Sequence, residues 1–594
     1  SKFKFISKRD IIILMNMSDA LLAIIKVFWY NVCALKLFYL QNYFETELII
    51  LSKIKIFSLG GLDENGKNMY VMEIDKDIFI FDCGLKYASG NMLGIDYIIP
   101  DFSYLVKNKK RIKGLFITHG HLENMGATAD LLSVLPNLKV YATKFSKYVL
   151  LESGVNANNI VEIKAHKKMN FGHVSIFPIS VSHSAPDAVM YVVNTKDGAI
   201  CYTGDFIFDP SMMGAYDMDL GKIAYVGKQG VLCLLSESVF SENIGHTSPN
   251  HKLIDTFKKA IKDARGRILF MVLPTHLYTI EEIFDASINS HRKIVVMGKK
   301  LQNVVQFGLK EKYLSIPDDA LGDLSNINDN NAILLICDDK ASPYSALSKI
   351  LNGYDKFIKL RSDDTIVFAE PRYDSNEKVL VRLENDLAEH GCEIVNIPSD
   401  KTILHHASSE DLMQMIKLMR PKYYMPVKGE YRYMVGNADL ASSLGIPKDN
   451  IILKQNGEAI CFEAGNLVDK HEKIKVGDAL IDGKSSDDIG ELVIKDREML
   501  SENGIVLISA TISKQDKVLL VGPEVTTRGF IYVKDSTEMI KEIKRISERI
   551  IERNTTPNYI DFNKIKTEIR DELSKYLYEE TECKPMIIAV VQEV

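Results

Sequence analysis

Residues 113–135 narrow the possible folds of this chain more than any other stretch. An apolar run, Lys113–Thr118, leads directly into Thr118-His119-Gly120-His121-Leu122-Glu123-Asn124-Met125-Gly126, and the apolar spacing of Ala127–Leu135 suits a helix. Strand, loop and helix place His119 and His121 at the carboxyl end of a strand, where α/β proteins collect their ligands. Two imidazoles one residue apart on a tight loop can face one divalent ion, and imidazole suits zinc or manganese. A pair by itself is weak evidence, because two strand-end histidines with ordinary hydrogen bonds would look the same. Three later positions strengthen it: His183 in Val181-Ser182-His183-Ser184-Ala185-Pro186-Asp187, Asp205 in Tyr202-Thr203-Gly204-Asp205-Phe206, and His406 in Leu404-His405-His406-Ala407. Asp82, which closes the strand Phe79–Phe81, is placed to support a ligand histidine from behind.

With 594 residues the chain is too long for one core, and about 150 residues per domain gives three or four. From Ile54 onward, short β-branched and aromatic runs (Lys53–Leu59, Met69–Ile74, Ile78–Phe81) alternate with Gly, Asn and Asp turns, which predicts a sheet. Between about 250 and 401 the pattern changes to a helix (Lys252–Asp263) and strands at Arg267–Val272, Lys293–Met297 and Ala332–Ile336, an α/β layer inserted into the first domain. Sheet-like sequence returns at Tyr423–Val427 and Ile451–Lys454, and the polar stretch Lys470–Gly490 is expected to be a linker. Strands at Gly504–Ile512, Lys517–Val521 and Gly529–Val533 follow, with two amphipathic helices. One helix carries Met539, Ile543, Ile546 and Ile550 on a single face, the other Ile565, Ile569 and Leu573, stripes that more often form a core than an interface. The expected divisions are 1–52, an extension of unclear status; 53–249 and 401–466, two parts of one domain; 250–400, the insertion; 467–494, the linker; and 495–594, a terminal domain.

A 46% apolar and 26% charged composition is close to the globular average and favours neither a disordered chain nor a multispanning membrane protein. Net charge is -6, so any nucleic-acid contact must come from a local groove. Eight cysteines form no C-x-x-C pair and sit mostly in apolar runs, which predicts buried thiols in a reducing cytoplasm. The segment Ala20–Leu40 is rich in Leu, Ile, Phe and Tyr but contains Lys26, Asn31 and Lys36. Each central lysine costs roughly 2.5–3.5 kcal/mol on insertion scales, so no stable membrane span is expected there.

In order and text the motifs resemble the ribonuclease J family over nearly all of 54–594. The resemblance rests on Leu59-Gly60-Gly61-Leu62-Asp63-Glu64-Asn65-Gly66-Lys67-Asn68, Gly94-Ile95-Asp96 with Pro100-Asp101, the Thr118–Gly126 loop and Thr203-Gly204-Asp205-Phe206. It continues through Leu235-Ser236-Glu237-Ser238, Pro426-Val427-Lys428-Gly429-Glu430-Tyr431-Arg432, Thr527-Arg528-Gly529-Phe530-Ile531-Tyr532-Val533 and Lys584-Pro585-Met586-Ile587. It implies an α/β protein: a metallo-β-lactamase αββα sandwich, an inserted β-CASP α/β domain, and a C-terminal α+β domain used in assembly. The implied activity is RNA processing and decay, 5′-3′ exoribonuclease and endoribonuclease, by two-metal phosphodiester hydrolysis with zinc or manganese. Implied partners are 5′-monophosphorylated RNA and other subunits, in a homo-oligomer or a hetero-oligomer with an active ribonuclease J paralogue; no DNA specificity is expected. Carried over by position, His119, His121, His183 and Asp205 would hold an ion, with Asp205 and Glu123 at catalytic positions and Glu123 a further ligand. Ser236, Ser238, Leu404, His405 and His406 would contact substrate.

The departures bear on activity. Where the family has His-x-His-x-Asp-His, this chain ends in Glu123 and Asn124, and the family's Pro-Val-His-Gly-Glu carries Lys428. Glutamate keeps the charge but adds a methylene, asparagine binds zinc poorly, and an ammonium cannot bind a metal. Ligands for the first ion are intact, while the second has lost two, at Asn124 and Lys428, so one ion rather than two is expected. Lys428 would then neutralise Asp205 and Glu123 in place of the missing ion. The family's Phe-Ala-Ser-Asn reads Leu273-Pro274-Thr275-His276, followed by Thr279 where an arginine stands, and its Gly-Arg-Ser reads Gly298-Lys299-Lys300. Losing arginine forks weakens bidentate phosphate recognition. The chain thus resembles the weakly active second paralogue that some bacteria pair with an active one. Two readings follow: a ribonuclease of weakened activity, or an inactive subunit that binds an active paralogue and RNA. A small-molecule metallo-hydrolase is disfavoured by the long insertion and the terminal domain.

Overall fold

The strand Asp77–Phe81 shows in five residues how the first domain is layered. Phe79 and Phe81 point into one apolar cluster and Ile78 and Ile80 into another, and all four are fully buried. Side chains alternate across a strand, so a strand covered on both faces must be apolar throughout. In the computed structural model, which describes Phe28 and residues 52–594 apart from 88–93, 339–342, 370–373, 399–400, 402–404, 469, 483–490, 531–536 and 557–558, this strand belongs to an eight-stranded sheet. A six-stranded sheet that includes Val189–Thr195, Gly198–Tyr202, Val231–Ser236 and Tyr423–Pro426 packs against it. Phe79, Phe81 and Phe116 from one sheet and Tyr191, Tyr202 and Leu235 from the other fill the space between. Helices Thr128–Val134 and Lys144–Glu152 cover the outer face of the first sheet, and Leu220–Gln229 and Ser409–Met419 that of the second. The result is the expected αββα sandwich.

The insertion forms its own five-stranded, wholly parallel sheet, ordered Ile294–Met297, Ile333–Ile336, Ile268–Met271, Thr365–Phe368, Glu393–Asn396. Where the chain leaves the sandwich, at Val231–Ser236, and where it returns, at Tyr423–Pro426, the two strands pair in parallel. Inside the insertion Arg267 is fully buried and bonded through all three guanidinium nitrogens: it donates to both carboxylate oxygens of Asp364 at 2.8 and 2.6 Å and to the carbonyls of Ile327 and Lys359. The insertion also rests on the sandwich, with Phe307 stacked on Tyr148 at 3.8 Å.

The terminal domain is a three-stranded sheet, Leu519–Arg528, Ile505–Ile512, Met586–Glu593, under helices Thr537–Arg553 and Phe562–Thr581. Ile543, Ile546, Ile550, Ile565, Ile569 and Leu573 are buried in its core, so both stripes are core faces. Three expectations change. One ten-residue strand, Leu519–Arg528, stands where Lys517–Val521 alone was expected; Gly529 and Phe530 form a bend and the remainder of the expected Gly529–Val533 strand lies outside the described residues. Ile451–Lys454 is not a strand; its one β-type pairing is an isolated Ile451–Tyr424 bridge. Within the expected linker, Asp478–Ile481 pairs with Tyr97–Pro100, which anchors that segment to the first domain. Nearly all of the 1–52 extension, with Ala20–Leu40 and Cys33, lies outside the described residues. Among the described residues no helix is long and apolar enough to cross a membrane, and the seven cysteines are free, six of them buried.

Truncating one partner of a buried, fully hydrogen-bonded ion pair leaves an uncompensated charge. Asp364→Ala is therefore expected to destabilise the insertion by about 3–5 kcal/mol in chemical denaturation; a loss under about 1 kcal/mol would mean that Arg267 finds other acceptors.

Candidate metal centre

Polar side chains gather where the strands of both sheets end. Asp82 follows Asp77–Phe81, His119 and His121 follow Ile112–Phe116, Asp205 follows Gly198–Tyr202, Glu237 follows Val231–Ser236, and Lys428 follows Tyr423–Pro426. His183 joins them from the turn between Val174–Ser180 and Val189–Thr195. All seven are buried.

Ligand atoms of His119, His121, His183 and Asp205 lie within 4.8 Å of one another. His183 Nε2 is 3.1 Å from His121 Nδ1, and His119 Nε2 is 3.4 Å from Asp205 Oδ2. Zinc–nitrogen bonds of about 2.0–2.1 Å in a tetrahedron separate ligand atoms by about 3.3 Å, so these spacings suit one shared ion. The nitrogens are also turned correctly. His183 Nδ1–H donates to the carbonyl of His405 at 2.9 Å, leaving Nε2 for a ligand role. Thr118 donates its hydroxyl to Asp82 and takes the Nδ1–H of His119 at 2.9 Å, leaving His119 Nε2 buried and without a hydrogen-bond partner. Burial pushes the His119 imidazole down to about 3 and those of His121 and His183 well below their usual range, so all three rings are neutral donors. The residues present therefore fit one divalent ion.

They do not fit a second. Asn124 is fully buried and donates its amide to Asp82 at 2.8 Å, while Asn68 donates to Asn124 at 3.4 Å. Glu123 is partly exposed, with its carboxylate 3.7 Å from His121 Nδ1. The Lys428 ammonium lies against Asp205 Oδ2, so it points into the pocket. Burial opposes both charges, yet the Lys428 pKa is raised by Asp205, Glu123 and Glu237, and the carboxyl of Asp205 is held far below its usual range by Lys428 and the neighbouring histidines. Asp205, Glu237 and His406 form a second acidic and imidazole group, within which His406 Nδ1 bonds to Glu237 at 2.6 Å.

Asp82 supports the centre at one remove, reaching His119 only through Thr118. It also accepts from Tyr202 at 2.8 Å, and burial raises its carboxyl to about 7 against the pull of these hydrogen bonds. The expected substrate residues divide. His406 faces the cluster, 4.0 Å from Asp205. Ser236 is buried at its strand end, and Ser238 is taken up by the scaffold, donating to Val427 and accepting from Asn437. His405 packs behind His183 with its ring against His251 and Tyr278; Leu404 lies outside the described residues. Two further histidines lie apart from the ligand cluster: His251 is buried 3.1 Å from Asp209, and His173 pairs with Asp75. Two residues without an expected role belong to the site. Glu237 accepts from the Phe206 amide while holding His406, and His276 of the insertion packs its ring 4.6 Å from that of His121. Glu237 had one visible signal, a carboxylate directly after the apolar run Val231–Leu235 and Ser236.

Family models match four successive stretches: the metallo-β-lactamase superfamily over residues 62–263, the ribonuclease J β-CASP domain over 265–387, the Zn-dependent metallo-hydrolase RNA specificity domain over 403–452, and the ribonuclease J C-terminal domain over 492–594. The chain is 34% identical over 549 residues to ribonuclease J2 of Bacillus subtilis (strain 168), covering 91% of this chain and 99% of that one. It is 33% identical over 558 residues to ribonuclease J 2 of Staphylococcus aureus (strain NCTC 8325 / PS 47), covering 91% and 98%.

Residues that orient ligand histidines contribute about 10–100-fold to metal affinity. Thr118→Val, which keeps the shape but removes the hydroxyl between Asp82 and His119, is expected to weaken divalent-ion binding by about that factor in a cobalt titration; unchanged affinity would mean the ring is held by packing alone.

Proposed function

The chain belongs to the ribonuclease J family and is of its second-paralogue type, and on that premise we propose an RNA-processing ribonuclease with a single-ion centre and weakened activity of its own. The observation that carries the weakening is the Lys428 ammonium against Asp205, with Asn124 committed to Asp82. His119, His121, His183 and Asp205 would hold the ion, zinc or manganese. When bound, the ion supplies Lewis-acid polarisation of a phosphate oxygen. Asp205 fixes the negative end of the pocket, and His406, held by Glu237, faces the same space as a hydrogen-bonding partner for an RNA phosphate. Three carboxylates, Asp205, Glu123 and Glu237, face one ammonium, so these residues repel RNA phosphate until divalent charge is present. Lys428 contributes one positive charge at a position where the family's histidine would help hold a doubly charged ion.

The same observation favours a second reading, a subunit that binds an active ribonuclease J paralogue and RNA and contributes little chemistry. Metal content and digestion of 5′-monophosphorylated RNA separate the two, with Asp205→Ala as the blank. One ion per chain and slow, wild-type-only release of nucleoside monophosphates are expected; no difference from the blank would establish the subunit role, and two ions would sink the single-ion reading. The combined variant Glu123→Asp, Asn124→His, Lys428→His is expected to bind a second ion and to raise turnover by about a hundredfold, the scale of one lost electrostatic stabiliser.

A further inference from the structure

The inserted domain reaches the metal centre with the first turn of one helix, Leu277–Ser287. His276, at the N-cap, lays its ring 4.6 Å from that of His121. Two residues on, Tyr278 crosses to the sandwich and packs into an apolar cluster of Ile207, Met212 and Tyr216. Its amide donates to the Ser184 carbonyl at 3.2 Å, and its ring meets that of His405 edge to face at 5.1 Å. The Ile207 amide donates to the Ser182 carbonyl at 2.9 Å, so the flanks of His183 and the segment that follows Asp205 are joined where Tyr278 lands.

Tyr278 bears on the ion through His405. The His405 carbonyl accepts the Nδ1–H of His183 at 2.9 Å, which leaves His183 Nε2 for a metal. The direction of that carbonyl follows from the planar peptide that joins 405 to 406, and the chain is gripped on both sides of it. On the carboxyl side, the Thr247 hydroxyl donates to the His406 carbonyl at 2.5 Å and accepts the Ser408 amide at 3.1 Å. On the amino side the grip is on the ring: the His405 imidazole packs against Tyr278 and against His251, whose ring is 4.8 Å away. His251 is itself fully buried, 3.1 Å from Asp209. One jaw of this clamp is therefore a side chain of the insertion.

We propose that Tyr278 is a positioning residue for the metal ion: it holds the His405 ring, which aims the carbonyl that orients His183, so tight ion binding requires the insertion to be seated on the sandwich. The proposal rests on the single-ion reading above. Partners of a ligand imidazole set its orientation and its basicity, and a carbonyl turned away from His183 Nδ1 would free the ring to rotate out of the ligand set. Coupling between binding events is reciprocal, so an ion in the centre must in turn fasten the first turn of Leu277–Ser287 to the sandwich by the same factor.

The test is a cobalt titration of the full chain, read by the visible bands of four-coordinate cobalt. Tyr278→Ala is expected to bind about tenfold more weakly, the lower end of the effect of such supporting groups, and with weakened bands. Tyr278→Phe keeps the ring edge and is expected to stay within about twofold of wild type. Glu311→Gln, which removes the ion pair between the insertion and Lys144 and touches no ligand, is expected to do the same. A second readout needs no variant: cobalt should slow hydrogen exchange at the Tyr278 amide by about the same tenfold and leave the terminal helix Phe562–Thr581 as it was. Wild-type affinity in Tyr278→Ala, an equal loss in Tyr278→Phe or Glu311→Gln, or a Tyr278 amide indifferent to cobalt overturns the clamp and leaves the single-ion centre standing. Should Tyr278→Ala not fold, the exchange measurement decides. Folded wild type that binds no cobalt overturns both.

Discussion

Two sheets buried on both faces leave polar chemistry only one place to go. Phe79, Phe81, Tyr191 and Tyr202 occupy the interior between the sheets and Ile78 and Ile80 the interior beneath the helices, so a charged side chain within these strands would be desolvated with nothing to pair it. Each functional group therefore appears just past a strand end, and several strands ending together gather groups that are far apart in sequence. The pairing of Val231–Ser236 with Tyr423–Pro426 extends this to the insertion, since Glu237 and Lys428 become neighbours although about 190 residues separate them.

Within that frame the centre is divided into a half suited to an ion and a half rebuilt as protein. In the first half two of the rings keep a lone pair free by spending the opposite nitrogen on a fixed acceptor, Thr118 for His119 and the His405 carbonyl for His183. In the second half the polar groups are satisfied by one another. Asn124 has become part of the network that holds Asp82, together with Thr118 and Tyr202, and it could not leave without stranding a buried amide. A restored histidine at 124 would therefore also have to break that network.

Much of this was legible in the sequence. Short β-branched and aromatic runs marked the sandwich strands, the change of pattern near 250 marked the insertion, and His119, His121, His183 and Asp205, which the fold brings together, stood out because they lie in recognisable motifs. The rest depended on distance in three dimensions. Glu237 lies in a quoted motif, yet its bond to His406 is a contact across 169 residues. Ser238 looked like a substrate contact, but its hydroxyl is used up inside the scaffold by Val427 and Asn437. His276 gains meaning only once the insertion is seen to stand over the histidine loop. The strand Asp478–Ile481 was hidden because a short, polar edge strand has the composition of a linker.

Lys428 holds a left-handed backbone conformation, φ 56°, pinned by its amide to Gly61 and its carbonyl to Ser238, so its ammonium is delivered to Asp205 by the fold itself. A tethered cation cannot be chelated, diluted or exchanged for a competitor. One share of the pocket's charge balance is thus inherited with the gene and independent of the supply of trace metals, and in scarcity the carboxylate at the heart of the sandwich keeps its counter-charge.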